Sequence, residues 1–444
     1  MPLRLRRSLS TLPLVFVMFF NVSGGAYSLE QLVSSTGAGL ALIILAAVPI
    51  VWSLPEVLIV GELASAVPEE GGYYRWVRRA FGEFWAFQNG WWTWLYSLVD
   101  MAIYPVLLNT YLAYFIPDIS RPVKWMIALA MIWGATVLNL RGVSHVGRAS
   151  MIAGTFVLAA FGLLAIGSIP HIVHSPFQPM VAAGKHVTAS LGVGLSIALW
   201  NYVGWDNAST VEGEIIDPSR NYPRALWRAL PLVALAYLVP LLPALAATSP
   251  AQWYPGSWPE VARAAVGGTA GRLVGILIAA GGIISAIALF NALLMAYSRI
   301  PFAMAVDRLI PGSVATVNEH GVPRNAVLIS AVFYSVFALA PFGELVVADV
   351  VLYSLALFLE FAALIHFRRR EPNLRGVFRI PAGTAGVIFL ASLPVSVLLV
   401  VIALGVRDGT YALPALIGSL AGVLLGPVLY FLIRPRFTTP VARQ

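Results

Sequence analysis

Apolar runs recur along the whole chain, separated by short polar segments. Twelve are long enough to be read as membrane-spanning helices, near 11–36, 39–66, 82–114, 122–140, 148–169, 190–213, 224–247, 272–304, 325–341, 345–367, 384–405 and 412–433. Roughly 20 apolar residues in a helix cross the ~30 Å hydrocarbon layer of a bilayer. The ninth and tenth runs are parted only by Pro341-Phe342-Gly343. No polar segment is long enough to form a separate soluble domain.

The first and sixth runs are interrupted in the middle, at Phe20-Asn21-Val22-Ser23-Gly24-Gly25 and at Trp200-Asn201-Tyr202-Val203-Gly204-Trp205-Asp206. In each, an apolar half-helix ends at an aromatic-Asn pair and then meets glycine. These are matching positions in two five-helix units, and an odd number of spans per unit makes the second enter from the opposite side. The predicted fold is therefore an all-α polytopic membrane protein of 12 transmembrane helices. Residues 1–383 form a five-plus-five inverted repeat with broken helices 1 and 6; residues 384–444 add two helices and a short tail.

Unpaired backbone N–H and C=O groups are intolerable against lipid, so a break of this kind survives only around a protein-lined cavity. The N–H groups freed at a half-helix start suit an anion, and the carbonyls freed at a half-helix end suit a cation. Gly24 and Gly25 lack a Cβ and would let a ligand approach the backbone. The plainer reading of the same glycines is tight helix packing.

Composition and charge narrow the class. Hydrophobic residues make up 59% of the chain and charged ones 11%, where soluble chains are about a quarter charged. The net charge of +8 would suit nucleic acid if it lay on one soluble face. Here it reads as orientation, and no nucleic-acid partner is expected. With the N-terminus inside, the outer segments hold only Arg121, Lys124, Lys185, Arg263, Arg272 and Arg407, leaving 22 of the 28 basic residues on the inner side. That bias places both termini in the cytoplasm of a cell-membrane protein. Arg4, Arg6 and Arg7 ahead of an apolar stretch also resemble a signal peptide; the matched breaks favour a retained first helix. With no cysteine, thiolate chemistry is excluded. The six histidines lie in loops or at helix ends, and no HExxH occurs. Neither an enzyme, a metal site nor a cofactor is expected; a membrane-embedded enzyme is the remote alternative. A channel built on a symmetric filter ring fits poorly with two dissimilar breaks in one chain.

Acidic residues within spans are Glu30, Glu56, Glu62, Asp100, Asp206, Glu212, Glu214, Glu344, Asp349 and Glu360. Glu62, Glu212 and Glu214 read as interfacial at the cytoplasmic ends, and Glu344 and Asp349 at the outer face. A carboxylate at mid-membrane costs several kcal/mol unless paired or hydrated, and no Lys or Arg occupies the middle of a span. Glu56, Asp100, Asp206 and Glu360 therefore imply a positive partner: a cationic substrate group, a proton, or both. Asp100 and Tyr104 stand one turn apart on one helix face, and aromatics at this depth can receive an ammonium group.

These segments carry a resemblance. VSGGAYSLE, WSLPEVLIVGELA, GGYYRWVRRAFG, LVDMAIYPVLL, WNYVGWDNASTVEGEIIDPSRNYPRAL, SRIPFAMAVDRLIP and LYSLALFLEFAALIHFRRREPNLRGVFRIPAG fall in order over nearly the whole chain. The chain resembles the amino acid–polyamine–organocation transporter superfamily, most closely its branch of polyamine-uptake and L-type amino acid transporters. The resemblance implies a permease of amino acids or polyamines, working by alternating access and usually proton-coupled; an amine exchanger of the same fold is the alternative. It further implies that Ser23, Gly24 and Gly25 shape a substrate-binding turn, and Asn21, at the same break, is a further binding candidate. Trp200, Asn201, Tyr202, Gly204, Trp205 and Asp206 would line the cleft beside Asp100 and Tyr104. Glu56, Asp206 and Glu360 are the proton-coupling candidates. Two departures stand out. The fifth helix reads Met151-Ile152-Ala153-Gly154-Thr155 and lacks the lysine of some proton-coupled relatives, and the first turn is V-S-G-G rather than G-S-G.

Overall fold

A computed structural model describes residues 5–338, 346–407 and 413–437. Arg4, Pro341-Phe342-Gly343, Glu344, the side chain of Asp349 and the C-terminal tail lie outside the described residues. Helices α1 (Thr11–Val22) and α2 (Leu29–Thr36) flank the first break. The next span is α3 (Ala38–Val48) and α4 (Leu54–Ala66), joined by a π-helical turn at Pro49–Ser53. Then follow α5 (Gly72–Phe81), α6 (Glu83–Leu112), α7 (Arg121–Leu140) and α8 (Val143–Ser168). Helix α9 (Val187–Trp200) runs into the second break and a 3₁₀ stretch, Asn207–Glu214. The chain continues as α10 (Pro218–Ala247), α11 (Trp258–Val266), α12 (Gly268–Val306), α13 (Arg324–Phe337), α14 (Val346–Arg370), α15 (Thr384–Arg407) and α16 (Leu413–Phe437).

Among the described residues there is no strand, and seven helical stretches are long and apolar enough to cross a membrane. Large apolar side chains point outward, Ile152 (70% exposed) and Phe431 (64%) among them. Such a surface is compatible with hydrocarbon and not with water. The chain is a multi-pass membrane protein.

Helix α1 stops because Gly24 and Gly25 take positive φ (66° and 104°), a region closed to most residues with a Cβ. Helix α9 stops before Gly204, at φ 100°. The two breaks touch: a Cβ on Gly204 would lie 2.6 Å from the carbonyl of Asn21. Their freed backbone groups find partners on surrounding helices, as burial requires. Ser285 donates to the Gly24 carbonyl (2.6 Å) and Trp258 Nε1 to that of Ala26 (2.7 Å). The Gly204 N–H donates to Tyr353 Oη (2.9 Å), and the Trp205 N–H to Glu56 Oε1 (3.2 Å). Helix α1 packs on α8, α10 and α12, while α6 packs on α12 and α14. The breaks thus sit at the centre of the bundle, with α6 alongside.

A Cβ on Gly25 would point toward α8. A Cβ there would meet Val157 on α8 at 2.6 Å and Phe161 at 3.5 Å, so this glycine serves close packing and correct turn geometry. Glu62, Glu212 and Glu214, expected to reach water at an interface, are instead buried in the protein. Glu62 is paired with Arg368 (2.6 Å) and Glu214 with Arg299 (2.8 Å), all buried. Glu212 is buried with both carboxyl oxygens unpartnered among the described residues.

Candidate functional site

Between the breaks lies a small cavity lined by Asn21, Ser23, Tyr27, Tyr96, Asp100, Tyr104, Trp200, Asn201, Gly204, Asn207, Tyr297 and Tyr353. Its free space is ≈ 30 Å³, room for about two waters. Asp100 is its acid. Tyr104, one turn further along α6, donates to Oδ1 (2.8 Å), and Tyr297 on α12 donates to Oδ2 (2.9 Å). Both side-chain polar atoms of Asn21 are buried at the cavity wall without partners among the described residues. Asn201 is satisfied: its Nδ2 donates to the Ile197 carbonyl (2.8 Å) and its Oδ1 accepts from Ser28 (2.9 Å).

Asp206 is not in this wall. It lies behind Tyr353, whose hydroxyl is 2.8 Å from Glu56 Oε1 and 3.1 Å from Asp206 Oδ1. Glu360 lies against Asp206, two turns beyond Tyr353 on α14, and neither of its oxygens has a donor among the described residues. Two buried carboxyls from two elements therefore meet at one phenol, and a third lies against Asp206. Tyr96 stacks edge-on against both Tyr353 (5.5 Å between centroids) and Tyr297 (5.6 Å), which links the acid cluster to the cavity.

The remaining residues expected at the site are placed as follows. Ser23 lines the cavity and accepts from the Gly25 N–H (3.0 Å). Gly24 backs onto Leu289 and Ser285. Tyr202 points away, packing on Tyr237 and donating to the Leu45 carbonyl (3.0 Å). Trp205 is wholly buried behind the break. Tyr353 and Tyr297 were not singled out from sequence. The available signal for Tyr353 was its spacing of seven from Glu360, which puts both on one helix face.

Buried acids fall into two groups. Glu62, Glu214 and Asp307 are ion-paired to arginines near one end of the bundle. Glu30, Glu56, Asp100, Asp206, Glu212 and Glu360 have no ion pair among the described residues. Away from the cavity wall, Arg75 and Tyr74 on α5 bind Asp307 (2.7 and 2.8 Å), and Gly256, ahead of α11, donates to Glu30 on α2 (3.0 Å).

A multi-pass helical protein that encloses an acid-lined cavity between two facing helix breaks is, by class, a membrane transporter. The chain belongs to the amino acid permease family: the profile described as "Amino acid permease" matches residues 9–421. It is similar to polyamine transporter PUT1 of Oryza sativa subsp. japonica, at 32% identity over 434 residues, covering 97% of this chain and 80% of that protein. Polyamine transporter RMV1 of Arabidopsis thaliana is 33% identical over 426 residues (95% and 84%). A methylthioribose transporter of Bacillus subtilis (strain 168) is 27% identical over 400 residues (85% and 84%).

Proposed function

We propose that the protein is a proton-coupled carrier of amines, polyamines foremost and cationic amino acids next, working by alternating access. The observation that carries this reading is the set of unpaired buried acids around the cavity and its tyrosines. An unpaired carboxylate at this depth must meet a cation or hold a proton. Asp100 lines the cavity between two tyrosines, so it receives a substrate ammonium. Glu56, Asp206 and Glu360 stand behind Tyr353, out of the cavity, so they carry the proton. Tyr353 has one hydrogen to give and two carboxyls within reach, and its hydroxyl turns from one to the other as the cluster gains or loses charge. The polyamine transporters among the relatives support the amine class.

The architecture that goes with this reading is twelve transmembrane helices. Ten form an inverted repeat within residues 1–383, two more lie in 384–444, and both termini are in the cytoplasm of a cell membrane. Uptake into proteoliposomes, with radiolabelled putrescine, spermidine, arginine and leucine under an inward proton gradient, tests the function. Gradient-driven uptake of the amine probes is expected. Uptake of leucine alone would overturn the amine reading. Uptake that ignores the gradient and needs amine inside would replace proton coupling by exchange.

A further inference from the structure

Among the described residues, two buried acids without an ion pair, Glu212 and Glu30, have no part in this account, and Glu30 lies one aromatic layer from the cavity. Glu30, the second residue of α2, is 1% exposed. Its Oε1 accepts from Tyr111 Oη (2.6 Å) and from the Gly256 N–H (3.0 Å). Its Oε2 is buried with no partner among the described residues. Tyr111 stacks edge-on against Tyr27 (4.8 Å between centroids), and Tyr27 is a wall of the cavity that holds Asp100. One aromatic layer thus separates two unpaired carboxylates.

Their spacing follows from α6. Tyr111 lies eleven residues beyond Asp100 on that helix, a rise of ~16 Å. Its side chain leans back towards the helix start, so the two carboxyls are on the order of 10–16 Å apart. An extended chain advances ~1.2 Å per bond, taking ~3.6 Å for three. A four-carbon diamine therefore separates its nitrogens by ~6 Å, while a triamine of nine bonds spans ~11 Å and a tetraamine of thirteen ~16 Å.

We propose that Glu30 is a second ammonium-binding carboxylate, which takes the far end of a linear polyamine whose near end rests on Asp100. This rests on the reading that Asp100 binds an amine. An ammonium at Glu30 is met by the unpartnered Oε2 and by the hydroxyl oxygen of Tyr111, which can accept from it. The Gly256 N–H is a weak neutral donor that a charged group displaces, since charge-assisted hydrogen bonds are roughly twice as strong. The segment carrying Gly256 then lifts from α2. Short diamines reach Asp100 only.

The test is a length series with the full chain in nanodiscs, using putrescine, spermidine and spermine as probes. Wild-type affinity is expected to rise at least tenfold from putrescine to spermidine. A flat series overturns the proposal without any variant. Glu30→Gln keeps the size of the side chain and an acceptor for Tyr111. It is expected to lower spermidine and spermine affinity at least tenfold and putrescine affinity less than twofold. Equal losses for all three probes would make Glu30 a latch and nothing more, and no loss would also sink the idea. A wild-type protein that binds none of the probes overturns the amine reading itself, which the other outcomes leave standing.

Discussion

The hydroxyl of Tyr353 lies 3.1 Å from Asp206 Oδ1, so a phenol on α14 connects the cavity to the acid of the second helix break. That hydroxyl also accepts from the Gly204 N–H and donates within 2.8 Å of Glu56. Tyr353→Phe leaves a buried N–H and two carboxyls without it. Losing one partner of a buried hydrogen bond costs ~1–3 kcal/mol. Gradient-driven uptake is expected to fall at least tenfold while amine affinity changes little; uptake assays at two external pH values, paired with equilibrium binding, check this.

Asp100→Asn removes the charge and keeps an acceptor for one of Tyr104 and Tyr297, while its amide N–H can donate to the other hydroxyl, so the fold should hold. Truncating one partner of a buried charge pair costs ~2–5 kcal/mol. Affinity for spermidine should drop by tenfold or more, measured by titration of the detergent-purified protein. An unchanged affinity would remove Asp100 from the binding site.

Gly25→Ala tests packing against ligand approach. The new Cβ would sit 2.6 Å from Val157 at a φ of 104°, and overpacking with backbone strain costs ~1–3 kcal/mol each. The expected result is a lower unfolding temperature, partly restored by Val157→Ala, with spermidine affinity kept in the protein that remains folded.

Much of this site could be read from the chain before its coordinates. Aromatic-Asn-then-glycine in two apolar runs marked both breaks, because glycine and short polar side chains leave helical geometry easily. Asp100, Asp206, Glu56 and Glu360 stood out because charge at mid-span is rare. Tyr297 and Tyr353 stayed hidden because α12 and α14 are apolar nearly all round, and a helix buried on every side carries no stripe to say which face meets the cavity. For the same reason Gly25 could be assigned to the turn and not to its contact with Val157 on α8. The pairings of Glu62 with Arg368 and Glu214 with Arg299 join residues far apart in sequence, and no local pattern announces them.

Because the chain has no cysteine, single cysteines report sidedness without background. One at Arg370 should react with a membrane-impermeant maleimide only after the cells are opened, and one at His174 should react in intact cells. The opposite result would invert the orientation inferred from the basic residues.

Asp206→Asn separates the two roles that an acid beside the break could play. Asp206 is 2% exposed, shares Tyr353 with Glu56, lies against Glu360 and has no ion pair among the described residues. Three carboxyls this close cannot all be charged, since like charges sharing a site disfavour ionisation. Asn keeps the shape and one acceptor for Tyr353 but cannot exchange a proton. If the cluster carries the coupled proton, spermidine binding should survive within about threefold, well under the ~1.4 kcal/mol of a tenfold change. Exchange of internal for external spermidine should continue, and uptake should stop responding to a pH gradient. A collapse of affinity would instead put Asp206 on the substrate. Wild-type binding together with wild-type gradient response would leave it a structural acid and move the proton to Glu56 and Glu360.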